Sequence, residues 1–190
     1  MTPTLSLARL RAELGRSWLI ALLGVIYLVS QITILVILEP LGSSIAKLQT
    51  QGFTAAEYLA VFRHWEETGV MSAYRAHFVL DDTHWLWYSA FFTVALCRLF
   101  EIHRVPHRFD WILLLPVASG LLDCLENGIQ HVFLDAPDFS TIVDPLPLIS
   151  TLASDMKWLL ASTYVLLAAL LLLRIPSTKH RRESPDARRI

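Results

Sequence analysis

Between Ser17 and Leu38 the chain runs for 22 residues without a single Asp, Glu, Lys or Arg. A helix rises about 1.5 Å per residue, so a stretch of that length crosses a hydrocarbon core about 30 Å thick. Three further apolar stretches follow, at about residues 80–100, 111–133 and 148–173. Water is therefore the wrong solvent for most of the chain, in keeping with 54% apolar residues and a mean hydropathy of +0.48. The expected fold is all-α: a polytopic membrane four-helix bundle over residues 1–175, in one domain, with a basic tail of disordered composition at 176–190. Arg9, Arg11 and Arg16 precede the first stretch as in a signal peptide. That stretch is nonetheless too long for a leader and no small-x-small cleavage site follows, so it is expected to stay as the first span.

Loop charges give the expected direction, because cytoplasmic flanks retain Lys and Arg. The N-terminal flank holds its three arginines, and the turn after the second span holds Arg98, Arg104 and Arg108. The tail adds Arg174, Lys179, Arg181, Arg182, Arg188 and Arg189, whereas the loop between spans three and four offers only Asp135, Asp138 and Asp144. Both termini are thus expected on the cytoplasmic side of a bacterial inner membrane. A formal charge of −1, with the basic residues in separate short clusters, argues against nucleic acid as a partner.

Glu39 to Val79 becomes an outward excursion. Within it Thr54 and Glu57 match a capping box, and Tyr58, Leu59, Phe62 and Trp65 recur at helical spacing until Gly69. An amphipathic helix over about 54–68 is expected, lying on the membrane surface or lidding the bundle. Cys97 and Cys124 both fall in apolar stretches and are expected to be small fillers, with no disulfide or zinc spacing.

The third span carries Asp123 near its middle and Glu126 one turn on, and each acid costs about 2.5–3.5 kcal/mol at mid-helix. At 100° per residue, Ser119, Asp123, Glu126, Asn127 and Gln130 share a face about 100° wide, so their polar atoms can avoid lipid together. In the fourth span Lys157 sits on a face with Ser150, Ser154 and Trp158, and a lone buried ammonium calls for a carboxylate partner. Tyr74, His77, Asp81, His84 and Tyr88 line one face of the second span, with Asp82 turned about 100° away; Asp155 is likewise turned away from Lys157. A polar chamber inside the bundle is expected, with Asp81, Tyr88, Asp123, Glu126, Asn127 and Lys157 as its principal members.

These residues resemble the motifs of a large, mostly uncharacterised group of small four-span bacterial membrane proteins. Its members carry Asp-x-x-Tyr-Pro-x-x-Tyr, Asp-x-x-Glu-Asn and Thr-x-x-Lys-Trp in successive spans. Asp81 and Tyr88 match the first motif while His84 and Trp85 depart from it. Asp123, Glu126 and Asn127 match the second, and Lys157 and Trp158 the third, with Ser154 in place of threonine. The resemblance extends from about Tyr74 to Leu173 and implies where a site lies, with no activity to carry over.

Three functional classes follow. The chamber binds a membrane lipid or other hydrophobic small molecule, with Asp81, Tyr88, Asn127, Ser154 and Trp158 as ligand-binding residues and Trp85, Trp87, Phe91 and Phe92 along the apolar part. Alternatively Asp123, Glu126 and Lys157 are catalytic in an acid/base isomerase or cyclase acting on a hydrophobic substrate. In the third class they only clamp helices together, although such bonds average about 0.6 kcal/mol in membranes. Proton or ion conduction would require a homo-oligomer or use of the bundle interior. His77, His84 and His131 lack metal-ligand spacing, and no cofactor signature is readable.

Overall fold

A bilayer core supplies no water to backbone N–H and C=O groups, so each apolar stretch must bond its backbone internally, and all four are helical. The computed structural model describes residues 7–174; the tail at 176–190 lies outside them. In chain order the helices are α1 (Leu7–Leu14), α2 (Ser17–Leu38), α3 (Ser44–Gln51), α4 (Ala55–Glu67), α5 (Met71–Ile102), α6 (Leu115–Asp135) and α7 (Leu146–Leu173). Short 3₁₀ turns cover Glu39–Leu41 and His107–Leu114. The fold is all-α, and α2, α5, α6 and α7 are long and apolar enough to cross a membrane. Their outward apolar side chains, such as Val29, Val36, Leu121 and Leu166, are exposed as a continuous apolar belt, the surface a membrane-crossing bundle requires.

Two boundaries differ from expectation. The second span begins at Met71 and not near Leu80, because after Gly69 no breaker interrupts the helix and its first turns pack Tyr74 and Phe78 into the core. The third span starts at Leu115, with Trp111 in the preceding 3₁₀ turn, since Pro116 is tolerated only in a first turn.

The excursion between α2 and α5 contains two helices where one was expected. At eight residues α3 is too short for its periodicity to be read from the sequence. In α4 the capping box is formed: Thr54 Oγ1 accepts from the Glu57 N–H at 3.3 Å, and the Glu57 carboxylate accepts from the Thr54 N–H at 2.9 Å. The Thr54 hydroxyl and backbone hold the Glu57 carboxyl below its usual range, so the cap is intact above ordinary carboxylate pKa values and weakens as pH falls through the lowered one. Tyr58, Phe62 and Trp65 are buried against Tyr74, Phe133 and Phe139, so α4 lids one end of the bundle. Gly69, at φ +75°, takes the left-handed conformation that ends this run.

Around the bundle α2 packs on α5, α5 on α6, and α6 on α7, while α2 and α7 make no extended contact. The helices form an open fan with a gap between its outer members. At the lidded end α3 crosses to α7, so the gap is closed there and open along the apolar stretch beyond. At the opposite end Arg11, expected only as a flanking charge, is buried: Nε lies 2.5 Å from Glu101 Oε1, and Nη1 lies 2.8 Å from Asp110 Oδ1 and 3.0 Å from the Val105 carbonyl. The planar guanidinium fastens α1 to the α5–α6 turn. Cys97 is a buried filler, but Cys124 is exposed on the lipid side of α6.

α5 and α6 approach closely at Gly120, where an added Cβ would collide with Ser89 Oγ and lie 3.2 Å from the Trp85 carbonyl oxygen. Ser89 spends its hydroxyl on the Pro116 carbonyl at 2.8 Å, so it cannot move freely aside. Gly120→Val is expected to cost about 1–3 kcal/mol through overpacking. Gly128→Val, where a Cβ meets nothing within 4 Å, should leave the unfolding midpoint in detergent nearly unchanged. Equal midpoints for the two variants would contradict this packing.

Candidate functional site

The polar stripe of α6 faces the interior as a set: Ser119, Asp123, Glu126, Asn127 and Gln130 are all buried. Opposite them, α7 delivers Lys157, 8% exposed, whose Nζ lies 2.7 Å from Asp123 Oδ1 and 2.5 Å from Glu126 Oε2. Asp123 and Glu126 are three residues apart and so adjoin on one helix face, which lets a single ammonium reach both. Ser119 donates to the Lys157 carbonyl at 3.1 Å and holds the two helices in register.

The elements around this ion triad complete its hydrogen bonds. Gln49 Nε2 of α3 donates to Glu126 Oε1 at 3.1 Å. Gln130 is the junction beneath the lid: Nε2 donates to Ser150 Oγ at 2.8 Å and to the Tyr58 hydroxyl at 3.1 Å, and Oε1 accepts from Tyr74 at 2.8 Å. Burial pushes the Tyr58 phenol pKa up, which keeps it a neutral donor under the lid. On α5, Asp81 Oδ2 accepts from Asn127 Nδ2 at 3.0 Å and lies 3.8 Å from His77 Nε2. Asp82 is exposed and pairs with His131 at 2.9 Å, on the outside as its helical angle requires.

Beside the triad lies a cavity of about 300 Å³ whose polar wall includes Asp81, Tyr88, Asp123, Glu126, Asn127 and Lys157. Its apolar wall continues through Phe78 and Phe92 to Leu35 and Leu38 of α2 and Ala161 and Val165 of α7, the two sides of the open seam. Trp158 is 53% exposed at this mouth, with the Lys157 amine 5.7 Å from its ring. Ser154 does not line the cavity; it is wholly buried, and its hydroxyl has no partner among the described residues. Ser154 and Trp158 lie to the same side of Lys157, about 60° and 100° around α7, so helical angle alone does not separate them. Of the aromatic residues expected along the apolar part, Tyr88 and Phe92 line the cavity, whereas Trp87 and Phe91 are turned about 120° and 80° from Asp81, and Trp85, only about 40° from it, packs instead against Gly120 of α6.

His84 was expected on the chamber face, but its partners on α2 and the wall residues Tyr27 and Tyr164 escaped the sequence reading. His84, a departure from the motif, is tied to α2 through Ser30 Oγ at 2.8 Å on Nδ1 and Gln31 Oε1 at 3.2 Å on Nε2. The adjacent Ser30 and Gln31 in an otherwise apolar span were the available signal. Tyr27 stacks on His84 at 5.6 Å, and Tyr164 of α7 closes the far wall. Among the described residues no group of three or more His, Cys, Asp or Glu could hold a metal ion. Comparison with protein-family models, curated proteins and solved structures gave no match.

The triad sets a thermodynamic expectation. Lys157→Met leaves two buried carboxyl groups without their counter-ion and should cost about 3–5 kcal/mol. Adding Glu126→Gln should recover part of that, with a coupling of about 1–3 kcal/mol in a double-mutant cycle followed by thermal unfolding in detergent. Additive losses would show that the two side chains do not act on one another.

Proposed function

We propose that this integral membrane protein binds a lipid-like or other hydrophobic small molecule, with the head in the charged chamber and the apolar part in the seam between α2 and α7. The observation that carries this is the continuity of one cavity from the ion triad to a lipid-facing gap. A cavity of about 300 Å³ falls in the lower range of small-ligand sites, which combine apolar walls with a few convergent polar groups. A structural clamp accounts for the triad, but it requires no cavity and no opening. The phenol of Tyr88, 8% exposed and without a hydrogen-bond partner among the described residues, gives a ligand a further polar contact.

A membrane-embedded acid/base enzyme of isomerase or cyclase type is the second reading. It is favoured by the way Asp81 and Tyr88 face the same cavity while Lys157 is engaged by Asp123 and Glu126. The motif resemblance and the arginine-rich flanks further support membership in the four-span group, a bacterial inner-membrane location and cytoplasmic termini. The partners proposed are membrane lipids or an amphiphile, and not nucleic acid.

Native mass spectrometry of the protein extracted with its lipids should show one hydrophobic species at near-stoichiometric occupancy. Ala161→Trp, which fills the seam from the α7 side, should lower that occupancy by about tenfold or more, equivalent to about 1.4 kcal/mol, without changing the unfolding midpoint. A random lipid mixture that Ala161→Trp does not alter would defeat the binding reading.

A further inference from the structure

The ion triad is closed upon itself, yet among the described residues the chamber holds more carboxyl groups than amines. Asp81, Asp123 and Glu126 bring three carboxyl groups to a cavity that contains a single amine, Lys157. Both oxygens of Glu126 are engaged, one by Gln49 and one by Lys157. Asp123 uses Oδ1 for Lys157, and Asp81 uses Oδ2 for Asn127. Among the described residues Asp123 Oδ2, Asp81 Oδ1 and the Tyr88 oxygen are left without a hydrogen-bond partner, and each can accept one. His77 makes no hydrogen bond to Asp81: its Nδ1 is bonded to the Tyr74 carbonyl, and its Nε2 stands 3.8 Å from Asp81 Oδ2, beyond hydrogen-bond reach. The two nitrogens of His84 are spent on Ser30 and Gln31.

We infer that the ligand is a cationic amphiphile, in which an ammonium head donates to Asp81, Asp123 and Tyr88 and a single apolar chain leaves through the α2–α7 seam. The inference rests on the ligand-binding reading and adds the charge of the head. Surplus carboxyl groups in a shielded interior are stabilised by a cation of complementary hydrogen-bond count, and an ammonium offers N–H donors with no acceptor. Tyr27, Tyr74, Phe78, Phe92 and Tyr164 also line the cavity, and aromatic faces attract a desolvated cation. The same acidity disfavours a phosphate, so the fit is to a simple amine amphiphile and not to a zwitterionic phospholipid headgroup.

The test uses the full chain in neutral detergent and four probes: dodecylammonium, dodecanoate, 1-dodecylglycerol and a short-chain phosphatidylethanolamine. Binding is read by native mass spectrometry and calorimetry. Dodecylammonium should bind at one equivalent, about tenfold or more tighter than the other three. Asp81→Asn should remove that preference, bringing dodecylammonium down to the level of 1-dodecylglycerol. Tyr88→Phe, which keeps the ring, should weaken the ammonium alone by several-fold; with the wild-type selectivity it decides the matter if Asp81→Asn does not fold. Equal binding of dodecylammonium and dodecanoate overturns the charge inference and leaves the binding reading standing. Preference for the phosphatidylethanolamine overturns the simple-amine assignment. Absence of saturable binding by all four removes both readings.

Discussion

An ammonium placed within a membrane-embedded helix bundle needs a counter-charge, and the contact of Lys157 with Asp123 and Glu126 is the constraint from which the arrangement of α6 and α7 follows. Once the amine lies between the two carboxylates, the rotation of both helices is fixed to within a fraction of a turn. The same rotation brings Ser119 to the Lys157 carbonyl and Gln130 to Ser150. Neutral polar contacts between membrane helices are individually weak, at about 0.6 kcal/mol, so the ionic contact is the larger determinant of register and the hydrogen bonds refine it.

That contact also explains why the lid is built as it is. Glu126 has one oxygen left after Lys157, and α3 supplies Gln49 to it; Gln130 needs partners at the bundle end, and Tyr58 and Tyr74 provide them. The aromatic cluster around Phe62 and Trp65 then seals the polar junction from the surroundings. On the other side of the triad no helix closes the ring. The seam between α2 and α7 leaves the chamber open toward the outer apolar surface of the helices, and the proposed ligand-binding reading rests on this opening.

Much of this was legible in residue order. The stripe from Ser119 to Gln130 follows from helical periodicity, and the apolar residues on the opposite face, such as Leu121 and Leu125, leave it one direction to turn. Asp82 and Asp155 were correctly turned away from the chamber by the same angles. Ser154 and the tryptophans at 85 and 87 were less tractable, because a 60° or 100° offset places a side chain on either of two neighbouring surfaces. Which surface it meets depends on where the adjacent helix crosses. Arg11 was read from its company of other arginines as a flanking charge, although Glu101 and Asp110 lie about ninety residues away along the chain.

Composition and periodicity alone determined the four apolar helices, the capped amphipathic helix, and the demand that Asp123, Glu126 and Lys157 meet out of lipid. Each of these follows from local spacing or from the cost of an unsatisfied group in hydrocarbon. Only the tertiary structure decided which helices touch: that α2 stands apart from α7, that α3 joins the site through Gln49, and that Asp81 and Tyr88 keep unspent acceptors toward the cavity. Those outcomes depend on packing between residues remote in the chain, which no local pattern encodes.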